Sequence, residues 1–293
     1  MNDYRSMGEK IFDIFNVIIL LLITFFALYP LWHVLMASFS DNSEVMRYRG
    51  LFLVPIKFTS GAYNIVFQNP MVLKGYANTF FVVIVGCTVN IILTSMAAYI
   101  LSRKDVMWTK FLTIMIVVTM YFGGGLIPFY FTVKDMGLDG SLWALIIPSA
   151  INTFYLIIMR TAFLGVPESL EEAARIDGAR HMTILFRVVL PLTLPTVAVI
   201  ILYYGVGHWN SWFHAMIFLR TKRELYPLQL VLREILLQNT MADSTSINME
   251  NRPNIGETIK YALIIIATVP ILTIYPFLQK YFVKGVMVGA VKE

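Results

Sequence analysis

EEAARIDGARHMTILFRVVLPLTLP, residues 171–195, lies between long apolar runs and reads neither as a membrane span nor as an ordinary loop. It opens with charge and alanine, breaks at Gly178 and ends in apolar residues with Pro191 and Pro195. Pro167, just upstream, can begin a helix because its missing N–H would be unpaired there anyway. Glu168, Glu171 and Glu172 then place negative charge in the first turns, where the helix dipole favours it. Gly178 can end the helix in the left-handed conformation. The pattern predicts a helix of about 10 residues, roughly 15 Å long. Leu170, Ala173, Ala174 and Asp177 share one face, and the two alanines keep it low enough for another protein to approach. Glu171 and Arg175 are spaced for an i,i+4 ion pair. Residues 179–190 predict a second helix, apolar enough to lie at a membrane surface, and the prolines mark the turn into the next span. A plain solvated helix is the alternative for the acidic part.

The surroundings favour a bilayer. The chain has 293 residues, 58% hydrophobic and only 14% charged, against about 25% charged in soluble domains. A span needs about 20 mainly apolar residues. Six stretches qualify, at about 11–36, 77–101, 109–131, 142–164, 194–219 and 261–281. The first is too long for a signal-peptide core and lacks a small-residue cleavage site, so it reads as a retained span. Arg160, near the end of the fourth, can snorkel to the interface. Gly123-Gly124-Gly125 and Pro128 make the outer end of the third irregular. The glycines either let helices pack closely or leave a gap in the wall of a path.

These features predict an all-α membrane protein with a single transmembrane domain over 1–293. Six spans put both termini on one side. Lys and Arg divide almost evenly between the sides, but the short loop SRKDVMWTK, residues 102–110, concentrates three of them. That density puts the termini and the loop 165–191 in the cytoplasm. The external segment 220–257 is long, which implies that it binds something. Within it LYPLQLVLREIL predicts a short amphipathic helix with Leu228, Leu232, Ile235 and Leu236 on one face. The stretch from Asn239 onward, NTMADSTSINMENRPNIGE, is polar and turn-rich.

Several function classes are excluded. Cys87 is the single cysteine, so no internal disulfide or cysteine metal site can form. His208 has no clustered ligand set around it in the sequence, so no metal site is expected. No G-x-x-x-x-G-K-[ST] loop is present to cradle phosphates. No basic stripe with interleaved aromatics marks a nucleic-acid surface. An intramembrane enzyme would need paired carboxylates, a Ser–Lys or Ser–His pair, or HExxH at membrane depth, and the spans hold almost no acids. A simple channel leaves residues 171–195 unexplained.

Polar groups at membrane depth face a bundle interior or a water-filled path. The candidates are Tyr121 in the third span, Asn152 and Tyr155 in the fourth, and His208, Trp209, Asn210 and Trp212 in the fifth. Aromatics beside hydrogen-bonding groups suit sugar rings. Packing, helix–helix hydrogen bonds and an interfacial aromatic belt remain open alternatives. Arg47, Arg49, Arg220, Lys222 and Arg223 can attract an anionic chain or meet an acidic rim on a partner, or simply be solvated.

Glu172-Ala173-Ala174, three residues, Gly178, nine residues and Val188-Val189-Leu190-Pro191 resemble the cytoplasmic loop of permease subunits of bacterial ATP-binding-cassette importers. The family form has Ile where Val188 stands. Asp177-Gly178-Ala179, Pro195, GHWNSWFHAMIFL (207–219) and PFLQKYFVKGVMVGAVKE (276–293) resemble the carbohydrate-importing, maltose-permease-like branch. LYPLQLVLREIL resembles a subgroup for complex and acidic oligosaccharides such as alginate. The resemblance runs from about residue 70 to the C-terminus, and the first span also fits.

The resemblance implies a six-helix type I permease with a cytoplasmic coupling helix in the bacterial inner membrane. It implies that Glu171, Glu172, Ala173, Ala174, Arg175, Asp177 and Gly178 contact an ATPase, and that the C-terminal tail reaches it too. Asn239, Ser244, Asn248 and Arg252 fall where a loop reaches the binding protein. The implied partners are a second, different permease, two ATPase subunits, a periplasmic or lipid-anchored solute-binding protein, and lipid. ATP and Mg would sit on the ATPases, with no cofactor or catalytic residue in this chain. The implied function is half of a path for an oligosaccharide. A non-sugar solute such as a peptide or amino acid is the alternative within the same family.

Overall fold

The computed structural model describes residues 7–245 and 256–290, with the side chains of 7–238, 257–274 and Pro276. The described residues form helices and no strands. In chain order these are α1 (Met7–Ser38), α2 (Asn42–Arg47), α3 (Gly61–Gln68), α4 (Pro70–Ser102), α5 (Thr109–Tyr121), α6 (Leu126–Asp135), α7 (Thr153–Leu164) and α8 (Glu168–Ile176). They continue with α9 (His181–Ile184), α10 (Leu190–Leu192), α11 (Leu194–Trp209), α12 (Phe213–Phe218), α13 (Leu228–Thr245) and α14 (Gly256–Ala290).

Three helical stretches, Met7–Ser38, Pro70–Ser102 and Glu257–Ile274, are long and apolar enough to cross a membrane, or up to six if each bent pair is one span. The bends correct the picture of continuous spans. α5 and α6 meet at 116°. At 13 residues, α5 alone reaches only about 20 Å of the roughly 30 Å hydrocarbon core. The break falls at the triple glycine, where Gly125 has φ +83°. A Cβ on Gly123 or Gly125 would meet nothing within 4 Å. Within this chain neither Gly123 nor Gly125 serves close packing; Gly125 supplies a backbone angle that side chains rarely adopt. The fourth stretch starts as two 3₁₀ turns, Leu142–Leu145 and Ile147–Ser149, and bends by 50° into α7. The fifth is split into α11 and α12.

The segment 179–190 is not a single surface helix. It contains a π-helical turn, Leu185–Val189, and Ile184, Leu185 and Val189 are fully buried in the chain's own core. His181–Leu192 then meets α11 at 91°. At the corner Thr193 returns its hydroxyl to the Val189 carbonyl at 2.8 Å. α13 is also longer than the sequence suggested. Its backbone stays helical to Thr245, through residues that read as turn-rich. Leu228 and Leu232 are buried as expected, Leu230 and Val231 join them, and Leu236 is exposed.

Contacts divide the chain into two compact units, Met1–Asn69 with Glu234–Val269, and Pro70–Arg233 with Pro270–Glu293. In the first, Asp41 caps α2 by accepting from the Ser43 N–H at 3.0 Å. The Ser43 hydroxyl on the same carboxylate holds Asp41 below its ordinary pKa. Asn42 Oδ1 accepts from the Thr258 N–H at 3.1 Å, in the first turn of α14. Ala37, Val45 and Phe52 form a small core with Tyr261 beside it. Most apolar side chains of α1 from Ile11 to Leu28 are exposed.

In the second unit α4 packs against both α7 and α11. Tyr99, Leu156, Met159, Phe163, Ile200 and Tyr204 are among its buried residues. Gly75 lets the chain at Leu228 come close, since a Cβ there would lie 3.1 Å from Leu228 Cα. Thr79 Oγ1 accepts from the Leu228 N–H at 2.8 Å.

Candidate functional site

α8 is built as its sequence suggests. Pro167 sits at the N-cap position and Asp177 at the C-cap. Gly178 follows with φ +81°. The Ala179 N–H reaches the Ala174 carbonyl at 2.9 Å and the Gly178 N–H reaches that of Arg175 at 3.0 Å. This is the Schellman closure, which satisfies two carbonyls the helix end would otherwise leave unpaired.

The seat of α8 differs from expectation. Glu171 does not pair with Arg175. It is 3% exposed and forms an ion pair with Arg103, just beyond the end of α4. Arg103 also donates to Ser102 Oγ from Nε at 3.1 Å and Nη2 at 3.0 Å, and to the Phe163 carbonyl of α7 at 3.4 Å. Its guanidinium lies 4.7 Å from the centre of the Tyr99 ring. Arg175 instead approaches Asp105, at 3.7 Å, and Lys104 pairs with Glu168 at 2.7 Å. The Lys104 hydrogen bond holds the Glu168 carboxyl below its ordinary pKa. Three consecutive residues, Arg103, Lys104 and Asp105, thus each meet a charge of opposite sign on α8. Arg160, expected to snorkel, donates from α7 to the Leu101 carbonyl of α4 at 2.8 Å.

The predicted low face of α8 is divided. Ala174 turns inward, partly buried against the core, while Leu170, Ala173 and Asp177 stay exposed with Glu172. Ile176 is 86% exposed, an apolar side chain presented outward from the helix end.

A second site lies near the middle of α4. A cavity of about 370 Å³ is lined by Ser149, Asn152, Tyr155, Tyr203, Tyr204, His208, Ser211 and His214, among others. Asn90 of α4 holds its wall. Its amide donates to the Ser149 and Ala150 carbonyls at 2.8 and 2.9 Å, and its Oδ1 lies 2.7 Å from His208 Nε2. Because the amide nitrogen already donates twice, Oδ1 is the acceptor and His208 carries its proton on Nε2. Gly86 makes room for the ring: a Cβ there would sit 2.6 Å from Nε2. The Tyr204 hydroxyl accepts from the Asn152 N–H at 2.9 Å and lies 2.9 Å from Thr94 Oγ1. Tyr155 stacks on Tyr203 at 5.5 Å.

Of the path residues proposed from sequence, Asn152, Tyr155 and His208 come together here. The Asn152 side chain caps α7, accepting from the N–H groups of Phe154 and Tyr155 at 3.0 and 3.3 Å. Tyr121 is 77% exposed and lies outside the lining. Trp209 is buried, its ring 5.9 Å from that of Phe80, and Asn210 is the exposed C-cap of α11. Trp212 lies under the Arg233 guanidinium at 3.9 Å. Sequence reasoning missed Asn90, Thr94, Tyr203, Tyr204, Ser211 and His214. The first two carried a signal, since Gly86, Asn90 and Thr94 recur every four residues on one face of α4.

A neighbouring cavity of about 530 Å³ is lined by the three glycines 123–125 and shares Ser149 and His214 with the first. Outside both cavities, Arg220 donates to the Tyr130 hydroxyl at 3.2 Å. Asn239 and Ser244 fall within the helical backbone of α13, whereas Asn248 and Arg252 lie outside the described residues. Among the described residues, no group of His, Cys, Asp or Glu is arranged to hold a metal.

Comparison with known proteins places this geometry. Residues 11–288 match the family described as binding-protein-dependent transport system inner membrane component. The polygalacturonan/rhamnogalacturonan transport system permease protein YtcP of Bacillus subtilis is 39% identical, over 98% of this chain and 100% of that protein. Protein LplC of the same organism is 38% identical, over 99% and 97%. The arabinooligosaccharides transport system permease protein AraQ of Halalkalibacterium halodurans is 27% identical, over 92% and 93%. Among solved structures, a bacterial ABC transporter involved in the import of the acidic polysaccharide alginate matches with a TM-score of 0.84 and 32% identity, over 96% of this chain and 100% of the other. The chain belongs to the binding-protein-dependent transport system inner membrane component family: it is a permease subunit of an ABC transporter, not an enzyme in its own right.

Proposed function

We propose that this permease carries oligosaccharides inward, with acidic, uronate-containing chains as its substrate class, and that α8 is its coupling helix to an ATPase. The full-length likeness to the polygalacturonan/rhamnogalacturonan permease carries the substrate reading, and the alginate transporter supports it. The cavity beside His208 fits the chemistry. Stacked tyrosines offer flat apolar faces, and Ser149, Ser211 and the second ring nitrogen of His208 offer hydrogen-bonding groups for a hydroxyl-rich rim.

In this reading Glu172, Ala173, Asp177 and Gly178, with exposed Leu170 and Ile176, enter a groove on the ATPase. Glu171 and Arg175, placed against residues 103–105, orient the helix from behind. The termini and α8 face the cytoplasm. ATP and Mg belong to two ATPase subunits, a second permease completes the path, and an external binding protein delivers the sugar to the far side. Coupling then requires two arrangements of the spans whose balance ATP shifts.

The test is uptake by the complete transporter in proteoliposomes, supplied with its binding protein. ATP-dependent entry of labelled oligogalacturonate, competed by unlabelled uronate chains and not by neutral ones, is expected. Entry of peptides or amino acids without entry of any sugar would overturn the substrate reading. Gly178→Asp or Glu172→Arg is expected to release the ATPase or separate hydrolysis from uptake; normal transport by either variant would overturn the assignment of α8.

A further inference from the structure

The seat of α8 is more specific than a coupling helix requires. A helix that only had to display Glu172 and Ile176 could be tethered by its two flanking loops. Here one buried guanidinium reaches three other elements. Arg103 touches α8 through Glu171, α4 through Ser102 Oγ and the Tyr99 ring, and α7 through the Phe163 carbonyl. Arg160 makes the reciprocal tie, from α7 to the Leu101 carbonyl. Both cations thereby sit at the C-terminal ends of α4 and α7, where the helix dipole places partial negative charge.

The geometry points to Arg103 as the positioning residue of the coupling step, the joint that obliges α4 and α7 to move when α8 is displaced. This rests on α8 being the coupling helix. The neighbouring ion pairs are unsuited to the task. Lys104–Glu168 and Arg175–Asp105 are exposed on both sides, so water and salt weaken them and their side chains can follow small movements without resisting. The Arg103 and Glu171 side chains are only 10% and 4% exposed. Separating them strands two charges away from water, so the three helix ends hold together under load. Beyond the joint, α4 is one continuous helix from Pro70 to Ser102. Asn90 lies 13 residues before Arg103, about 20 Å along that helix. A tilt imposed at the joint therefore reaches the groups that hold His208 and the Ser149–Ala150 backbone beside the cavity.

The complete complex, with ATPases and binding protein in proteoliposomes, supplies two readouts: ATPase retained per permease, and ATP hydrolysed per sugar imported. Arg103→Met is expected to retain the ATPase within twofold of wild type while hydrolysing at least tenfold more ATP per sugar. Arg103→Lys, which keeps the charge but loses the fork to Ser102 and Phe163, is expected to fall between. The exchange Arg103→Glu with Glu171→Arg is expected to couple better than either single change. A wild-type ratio in Arg103→Met, or transport that falls only in proportion to lost ATPase, would overturn the joint. If Arg103→Met does not assemble, Arg103→Lys decides: full assembly with a raised ratio supports the joint, and full assembly with an unchanged ratio overturns it. Failure of the coupling reading looks different, because Gly178→Asp and Glu172→Arg would then transport normally whatever Arg103 does.

Discussion

Two polar nodes lie along α4, and they differ in kind. Near the middle, Asn90, Thr94, Tyr204 and His208 are held by hydrogen bonds that need no charged partner, and Tyr204 and His208 line an open cavity. At the end, Arg103 and Glu171 are ionic and nearly sealed. The difference follows from what surrounds each. A charge at membrane depth is expensive even when paired, so the middle of the helix uses an amide and hydroxyls that satisfy one another without charge. At the helix end, free carbonyls and a loop supply enough partners to make a buried charge tolerable. The first node is arranged to be adaptable, the second to be stiff.

Breaking each node measures that contrast. The largest effect is expected from Glu171→Ala, which strands Arg103 and costs about 3–5 kcal/mol; a thermal or denaturant midpoint of the purified complex reads it. Arg103→Met combined with Glu171→Met is expected to regain much of that loss, because a packed apolar pair often replaces a buried ion pair without penalty. A double variant as unstable as the single would show that the charges hold the seat. Gly86→Ala comes next. Its methyl cannot share space with His208 Nε2, and displacing the ring is expected to cost about 1–3 kcal/mol and to reduce uptake. Asn90→Leu is expected to be milder, since interhelical hydrogen bonds in membranes average about 0.6 kcal/mol and reach about 1.7. A loss at Asn90 as large as that at Glu171 would erase the distinction between the nodes.

The smallest effect is expected from Lys104→Ala. Glu168 has its folded pKa lowered by the Lys104 hydrogen bond. Its contribution is therefore present above the unfolded carboxylate pKa and fades as pH falls through the folded value. The variant should differ from wild type by less than twofold in uptake at neutral pH and not at all in acid or at high salt. A large, salt-resistant loss would mean that the exposed pair carries load after all.

The two nodes were unequally legible. The 171–178 pattern announced its helix, its acidic start and its Gly178 stop, because local capping needs only neighbouring residues. The partner of Glu171 was hidden. Arg175 sits at the right spacing, and nothing local says that Arg103, 68 residues away, competes for it. The charge order Arg103-Lys104-Asp105 held a clue that counting cations for topology overlooked. Asn90 was missed for a related reason: two of its partners are main-chain carbonyls, at Ser149 and Ala150, where the chain breaks between the second 3₁₀ turn and α7. Hydropathy sums apolar content over a window and is blind to direction. A 116° reversal at Gly123-Gly124-Gly125 and a straight span therefore read alike.

Those breaks also bear on how the protein is made. α1 is one helix of 32 residues, its backbone ladder interrupted at Pro30, and it leaves most of its apolar side chains uncovered. It can leave the translocation machinery for lipid as soon as it is synthesised. The backbone at 122–125 and 150–152 has no helix to pair it fully, and lipid offers no substitute. Those segments must wait until other parts of the chain shelter them. Biogenesis is thus expected to proceed in two stages, with α1 released early and the broken stretches retained at the insertion site until the residues around them have arrived.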